Sequence, residues 1–116
     1  MIAIGCDHSA LELKKALMDR LDERGEEYQD FGTYTDYAKK VCHAILDGQC
    51  DKGILICGTG IGISIAANRF KGIRAALCGD CFSAKATREH NDANILALGA
   101  RVVGPGLACQ ILDTFL

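Results

Sequence analysis

The apolar positions of this chain alternate between two rhythms. Apolar runs at Met1–Cys6, Ile73–Leu77 (interrupted by Arg74) and Ile95–Leu98 read as strands, and the consecutive aliphatics Ile54–Ile56 read as a strand covered on both faces. A shorter run, Glu27–Phe31, reads as one more strand, followed by a polar connection over Gly32–Asp36. Between the strands the spacing changes to three and four. Leu13, Leu17 and Leu21 share one helical face, opened by Ser9-Ala10-Leu11-Glu12 as a capping box and stopped by Gly25. Ala38, Val41, Cys42, Ile45 and Leu46 share another, with Gly48 as its stop. Ile63, Ala66, Ala67 and Phe70 form a third stripe. Ile61 and Ile65 make that helix apolar nearly all round, which predicts deep burial, in part in a subunit interface. A fourth helix is expected from Phe82 to His90 with Asp80 as its cap. A last one carries Leu107, Ala108, Ile111, Leu112 and Phe115 after Gly104-Pro105. Strands alternating with helices require right-handed crossovers, so the expected fold is α/β with a doubly wound five-stranded parallel sheet. The length suits one domain over residues 1–116.

Composition narrows the chemistry. A net charge of −2 with mixed signs argues against nucleic acid as the main partner. No apolar run approaches the ~18–20 residues of a spanning helix, and Met1 opens directly into a strand, so no membrane partner and a cytoplasmic location are expected. Seven cysteines, an odd number, do not suggest a disulfide framework. Cys78-Gly79-Asp80-Cys81 is a single C-x-x-C, placed where a redox pair could sit; without a second pair it does not make a zinc site.

The densest candidate is Cys57-Gly58-Thr59-Gly60-Ile61-Gly62, a glycine turn between a buried strand and an apolar helix. Glycines let a ligand approach main-chain N–H groups, and the helix N-terminus attracts an anion. Ligands of such sheets bind outside the carboxyl ends of the strands. That rule collects Asp7 and His8, the Cys57 turn, and Cys78–Asp80. Asp7-His8 reads equally as a helix-opening turn with Asp7 accepting from nearby N–H groups. His90-Asn91-Asp92-Ala93-Asn94 reads either as a helix exit or as an imidazole beside amides suited to proton transfer. His43 fits a surface helix face. Arg101 could meet a carboxylate or a phosphate. Gly58-Thr59-Gly60-Ile61-Gly62 is one residue short of a dinucleotide fingerprint, with Asp80 where a ribose acid could stand, and no P-loop is present.

Four blocks together carry a resemblance: Gly5-Cys6-Asp7-His8, Ile56-Cys57-Gly58-Thr59-Gly60-Ile61-Gly62-Ile63-Ser64-Ile65-Ala66-Ala67-Asn68, His90-Asn91-Asp92-Ala93-Asn94 and Gly99-Ala100-Arg101-Val102-Val103-Gly104. In this order, over nearly the whole chain, they resemble the ribose-5-phosphate isomerase B family, which includes the galactose-6-phosphate isomerase subunits. The resemblance implies a three-layer Rossmann-like fold. It also implies an aldose–ketose isomerase that works through an enediolate with no cofactor and no metal, as a homodimer or homotetramer with its sites at the subunit interface. The substrate implied is ribose 5-phosphate with ribulose 5-phosphate. A six-carbon sugar phosphate (galactose or allose 6-phosphate) and a non-catalytic subunit are the alternatives.

By the same resemblance Cys57 is the base that moves a proton between carbons 1 and 2, as suits a thiol facing a helix N-terminus. Gly58, Gly60, Ile61 and Gly62 form the anion hole, and Thr59 assists the oxygens. His90 opens the furanose ring, Asn91 contacts substrate, Asp7 holds hydroxyls, and His8 and Arg101 meet the phosphate. Two departures stand out. Gly32-Thr33-Tyr34-Thr35-Asp36-Tyr37-Ala38 is shorter than the family's corresponding stretch, so Tyr37 takes no catalytic role. The family's tail, with its phosphate-gripping arginines, is not in the sequence that ends at Leu116.

Overall fold

The computed structural model describes residues 1–33 and 36–116; Tyr34 and Thr35, within the shortened stretch, lie outside the described residues. Five parallel strands form one sheet in the order β2-β1-β3-β5-β4: β1 Ile2–Cys6, β2 Tyr28–Asp30, β3 Lys52–Cys57, β4 Ala75–Leu77 and β5 Ile95–Gly99. The α-helices among the described residues are α1 Leu11–Glu23, α2 Tyr37–Leu46, α3 Ile61–Asn68, α4 Cys81–Ala86 and α5 Pro105–Phe115. The expected doubly wound α/β sheet is what forms.

Side-chain alternation along the three central strands divides the interior in two. Ile2, Ile4, Cys6, Ile54, Ile56, Leu96 and Leu98 face α1, α4 and α5. Ala3, Leu55, Ile95 and Ala97 face α2 and α3. Unbroken aliphatic runs are needed because both faces are covered. The edge strands β2 and β4 are short and partly exposed.

Several boundaries differ from expectation, each for a local reason. The Ser9–Glu12 capping box does not form. Asp7 takes the cap, its Oδ1 accepting from the Ser9 amide at 3.0 Å and the Ser9 hydroxyl at 2.6 Å, so a 3-10 turn over His8–Ala10 precedes α1. β4 starts at Ala75 rather than Ile73 because asparagine side chains occupy main-chain positions beside it. Asn94 accepts from the Arg74 amide and donates to the Gly72 carbonyl. Asn68 accepts from the Ala75 amide at 2.7 Å and donates to the Ala75 carbonyl at 2.9 Å. Helix α3 buries only Ile63 and Ala67; Ile61 and Ile65 are 52% and 57% exposed in the single chain. Phe70 falls beyond α3, its ring 5.6 Å from that of His43 and nearly perpendicular to it. Asp80 caps α4 as expected, accepting from the Ser83 amide at 2.6 Å. Yet α4 stops at Ala86, and Thr87–Asn91 is a π-helical turn.

Candidate active site

The chain leaves β1 and β5 toward α1 and α5 on one face, and leaves β3 toward α3 on the other. Divergence on both sides of the end of β3 opens a crevice there. Hydrogen bonds align the three strand ends in a row. The Asp7 amide donates to the Ile56 carbonyl at 3.1 Å, the Ala100 amide to the Cys57 carbonyl at 2.8 Å, and the Arg101 amide to the Gly58 carbonyl at 3.0 Å. Asp7, Cys57 and Arg101 are thereby brought together.

Past Cys57 the backbone turns sharply. Gly60, at φ 81°, lies where a Cβ would strike Leu77 and stand 2.9 Å from the Leu98 carbonyl carbon; Gly99 presses on Thr59 from the other side, where a Cβ would lie 2.5 Å from the Thr59 carbonyl oxygen. This close approach folds the loop back on Cys57, so that the Gly60 amide donates to its sulfur at 3.1 Å. Such a bond is stronger to a thiolate than to a thiol. The Thr59 hydroxyl accepts from the Ile61 amide at 3.2 Å, opening α3. The Gly60 and Ile61 amides are thus engaged within the loop, and Thr59 itself is exposed.

Around this loop the polar groups have distinct settings. Asp7 is half-buried and His8 exposed. The Arg101 side chain crosses Gly58, its Cδ 3.7 Å and Nε 3.9 Å from where a Gly58 Cβ would be, with the Ser9 hydroxyl at 3.8 Å. A cavity of about 440 Å³ opens beside them between the starts of α1 and α5, lined by His8, Ser9, Glu12, Ala100, Gly104 and Pro105. Tyr37, at the start of α2, is buried against Gly5, where a Cβ would lie 3.2 Å from its ring. Burial, then the nearby charges of Asp7, Cys57 and Cys6, push its phenol above the ordinary tyrosine range.

His90 and Asn91 stand elsewhere. They end the π-helical turn before β5, and the Asn94 carbonyl just beyond them accepts from the Gly53 amide near the start of β3. Gly53 and Cys57 are ~13 Å apart along the strand. No hydrogen bond among the described residues joins His90 to Cys57, whose sulfur is held by the Gly60 amide.

Comparison with known proteins places this geometry. The family described as Ribose/Galactose Isomerase matches residues 2–116. The chain belongs to that family. It is 52% identical to ribose-5-phosphate isomerase B of Escherichia coli over 99% of this chain and 82% of that one. It is 41% identical to the galactose-6-phosphate isomerase subunit LacB of Clostridium acetobutylicum, over 100% of this chain and 71% of its relative. The solved structure of Clostridium thermocellum ribose-5-phosphate isomerase B superposes with a TM-score of 0.95 at 54% identity, covering 98% of this chain and 82% of that one. The chain is an isomerase, and no helix among the described residues is long and apolar enough to cross a membrane.

The structure of the isomerase also decides between readings of other residues. Asp80 is committed to capping α4 through the Ser83 amide and hydroxyl, and Cys78 is buried with its thiol pushed up to about 11 by burial. Neither suits a dinucleotide or a redox pair. Two groups near the site carry no sequence motif. Tyr37 could have been noticed as the first residue of a helix that packs on β1. Lys14, 7% exposed, gives both oxygens of Asp30 a hydrogen bond at 2.9 Å near Cys6 at the end of β1, but its helical position reads from sequence as a surface lysine.

Proposed function

We propose that this isomerase interconverts ribose 5-phosphate and ribulose 5-phosphate as a single domain, in the cytoplasm. The observation that carries the reading is the row of Asp7, Cys57 and Arg101 at three adjacent strand ends, with a backbone amide directed at the Cys57 sulfur. On the open-chain aldose the Cys57 thiolate takes the proton from carbon 2, and the electron pair moves to give the enediolate. The same proton returns to carbon 1, while the hydroxyl proton on oxygen 2 passes to oxygen 1 with help from Thr59. Atoms and electrons balance within the sugar, so the chemistry needs no cofactor or metal.

The glycine loop, Gly58 to Gly62 with Ile61, is the anion hole for the enediolate oxygen; the Gly60 and Ile61 amides, held in the free chain by the Cys57 sulfur and the Thr59 hydroxyl, exchange or share those partners when the oxyanion forms. Loss of one such donor costs roughly 3 kcal/mol in other enzymes. Asp7 holds hydroxyls. His8 and Arg101, beside the cavity, take the phosphate.

Ring opening falls to His90, with Asn91 beside it on the sugar, and these come from a second copy of the chain. The family resemblance carried by the sequence blocks supports a dimer or tetramer with shared sites. So does the exposure of Ile61, Ile65, Leu77 and Phe82, the last 81% exposed. The six-carbon reading rests on the galactose-6-phosphate relative.

Ranking kcat/KM on ribose 5-phosphate, allose 6-phosphate and galactose 6-phosphate, with Cys57→Ala alongside, tests the proposal. Ribose 5-phosphate should rank first. A six-carbon sugar in first place overturns the substrate; undiminished turnover in Cys57→Ala overturns the base.

A further inference from the structure

The π-helical turn that carries His90 is held in a specific way. The Asp92 amide donates to the Thr87 carbonyl five residues back, and the Ala93 amide reaches the same oxygen at 3.3 Å. One residue inserted in this manner swings the side chains beyond it by about 100° relative to an uninterrupted α-helix. Such a turn has no propensity of its own to persist, and the chain next passes through Asp92 in the left-handed region at φ 50°. Something else must hold it.

Arg88 is placed to do so. Its Nη1 donates to the Ala93 carbonyl at 2.6 Å, closing the turn around Asp92 from inside. Its guanidinium carbon sits 5.5 Å from the ring centroid of Phe115, a fully buried residue of α5, within the range of cation–π attraction. The same side chain thus ties the exposed turn to the core. From outside, Arg74 Nε donates to the Asp92 carbonyl at 2.8 Å and Nη2 reaches Asp92 Oδ2 at 3.2 Å. His90 is exposed between these anchors.

We propose that Arg88 is a positioning residue for ring opening: anchored on Phe115, it holds the π-helical turn in the register that aims His90 at the sugar. This rests on the ring-opening role of His90 given above. Lysine at position 88 can keep a charge over the ring and one donor to Ala93; methionine can keep neither.

The test separates the two ideas. Ribose 5-phosphate is mostly a closed furanose, whereas ribulose 5-phosphate, with its carbon-5 oxygen esterified, cannot close one. Initial rates are measured in both directions at rising enzyme concentration for wild type, His90→Ala, Arg88→Met, Arg88→Gln and Arg88→Lys. Wild type should stay proportional to enzyme in both directions. His90→Ala, Arg88→Met and Arg88→Gln should plateau with ribose 5-phosphate at a common rate set by uncatalysed ring opening. That plateau should lie about 10-fold or more below wild type at the same concentration, while the rates stay proportional with ribulose 5-phosphate. Arg88→Lys should restore proportionality. A general loss of folded enzyme lowers both directions and creates no plateau, and the glutamine variant serves if the methionine one does not fold. A plateau in His90→Ala but not in the folded Arg88 variants overturns the positioning role alone. No plateau in His90→Ala overturns its ring-opening role, and this inference with it.

Discussion

The Gly60 amide donates to the Cys57 sulfur across 3.1 Å, fixing the thiol at the mouth of the loop. A serine hydroxyl could accept the same bond but is not an anion near neutral pH. Cys57→Ser should therefore lower kcat by about 100-fold or more with KM little changed. Cys81→Ser, half-buried at the start of α4, should leave kcat near wild type. Comparable turnover in Cys57→Ser and wild type would remove the thiol from the mechanism.

Gly99 and Gly79 make a matched pair. A Cβ at Gly99 would lie 2.5 Å from the Thr59 carbonyl oxygen and 2.6 Å from its carbon, both backbone atoms that cannot swing aside; at Gly79 it would meet nothing within 4 Å. Gly99→Ala should cost about 1–3 kcal/mol by overpacking and displace the Thr59–Gly60 peptide, lowering kcat as well. Gly79→Ala should stay within about 0.5 kcal/mol of wild type. Urea unfolding and steady-state kinetics on both variants check this.

The Lys14–Asp30 pair gives an ordering. Lys14 is almost wholly buried, while the Asp30 side chain is 37% exposed. Lys14→Met leaves a carboxylate that water can still reach, at a cost of about 1–3 kcal/mol. Asp30→Asn leaves a buried ammonium without its counter-charge and should cost more, toward ~3–5 kcal/mol. Asp30→Asn proving the milder change by urea midpoint would contradict this ordering.

Acid should reveal the link between α1 and α5. Arg20 donates from Nε at 3.0 Å and Nη2 at 2.7 Å to Asp113, and Arg24 adds a longer bond of 3.3 Å. The hydrogen bond from Arg20, more than any other cause, holds the Asp113 carboxyl below the usual range. A depressed carboxylate adds stability that is fully present above its unfolded pKa of about 3.9 and is lost as pH falls through the folded value. Asp113→Asn should be less stable than wild type at pH 7, and the two curves should converge below about pH 4. Parallel curves through that range would show that Asp113 contributes nothing specific.

Much of this architecture is legible in the chain. The aliphatic runs of β1, β3 and β5 are long because both faces are covered, and the Asp80 cap and the stripe of α5 obey local rules. What escaped has physical causes. Asp7 displaced Ser9 as a cap because a carboxylate is the stronger acceptor. Ile61 and Ile65 pattern like core residues, since apolar spacing does not say whether the covering surface belongs to the same chain. The π-helical turn leaves no periodic trace, because one inserted residue is lost within the spacing of a short helix. Within the site, Asp7, Cys57 and Gly60 follow from the strand-end rule, whereas Arg101 comes from the family resemblance, although its amide meets the same strand ends. His90 lies on the connection between α4 and β5, before that strand rather than after it, so the strand-end rule does not reach it. Tyr37 and Lys14 act through burial, which their own letters do not announce.

The asparagines beside β4 have a consequence for how copies of this chain can meet. Each offers an amide that mimics a peptide group, and Asn68 satisfies both the donor and the acceptor of Ala75. A passing strand finds those valences already filled, so the sheet resists growing across that border into a continuous ribbon. What that border leaves open is side-chain surface, such as Ile61 and Ile65 on the neighbouring α3, and not a backbone zipper.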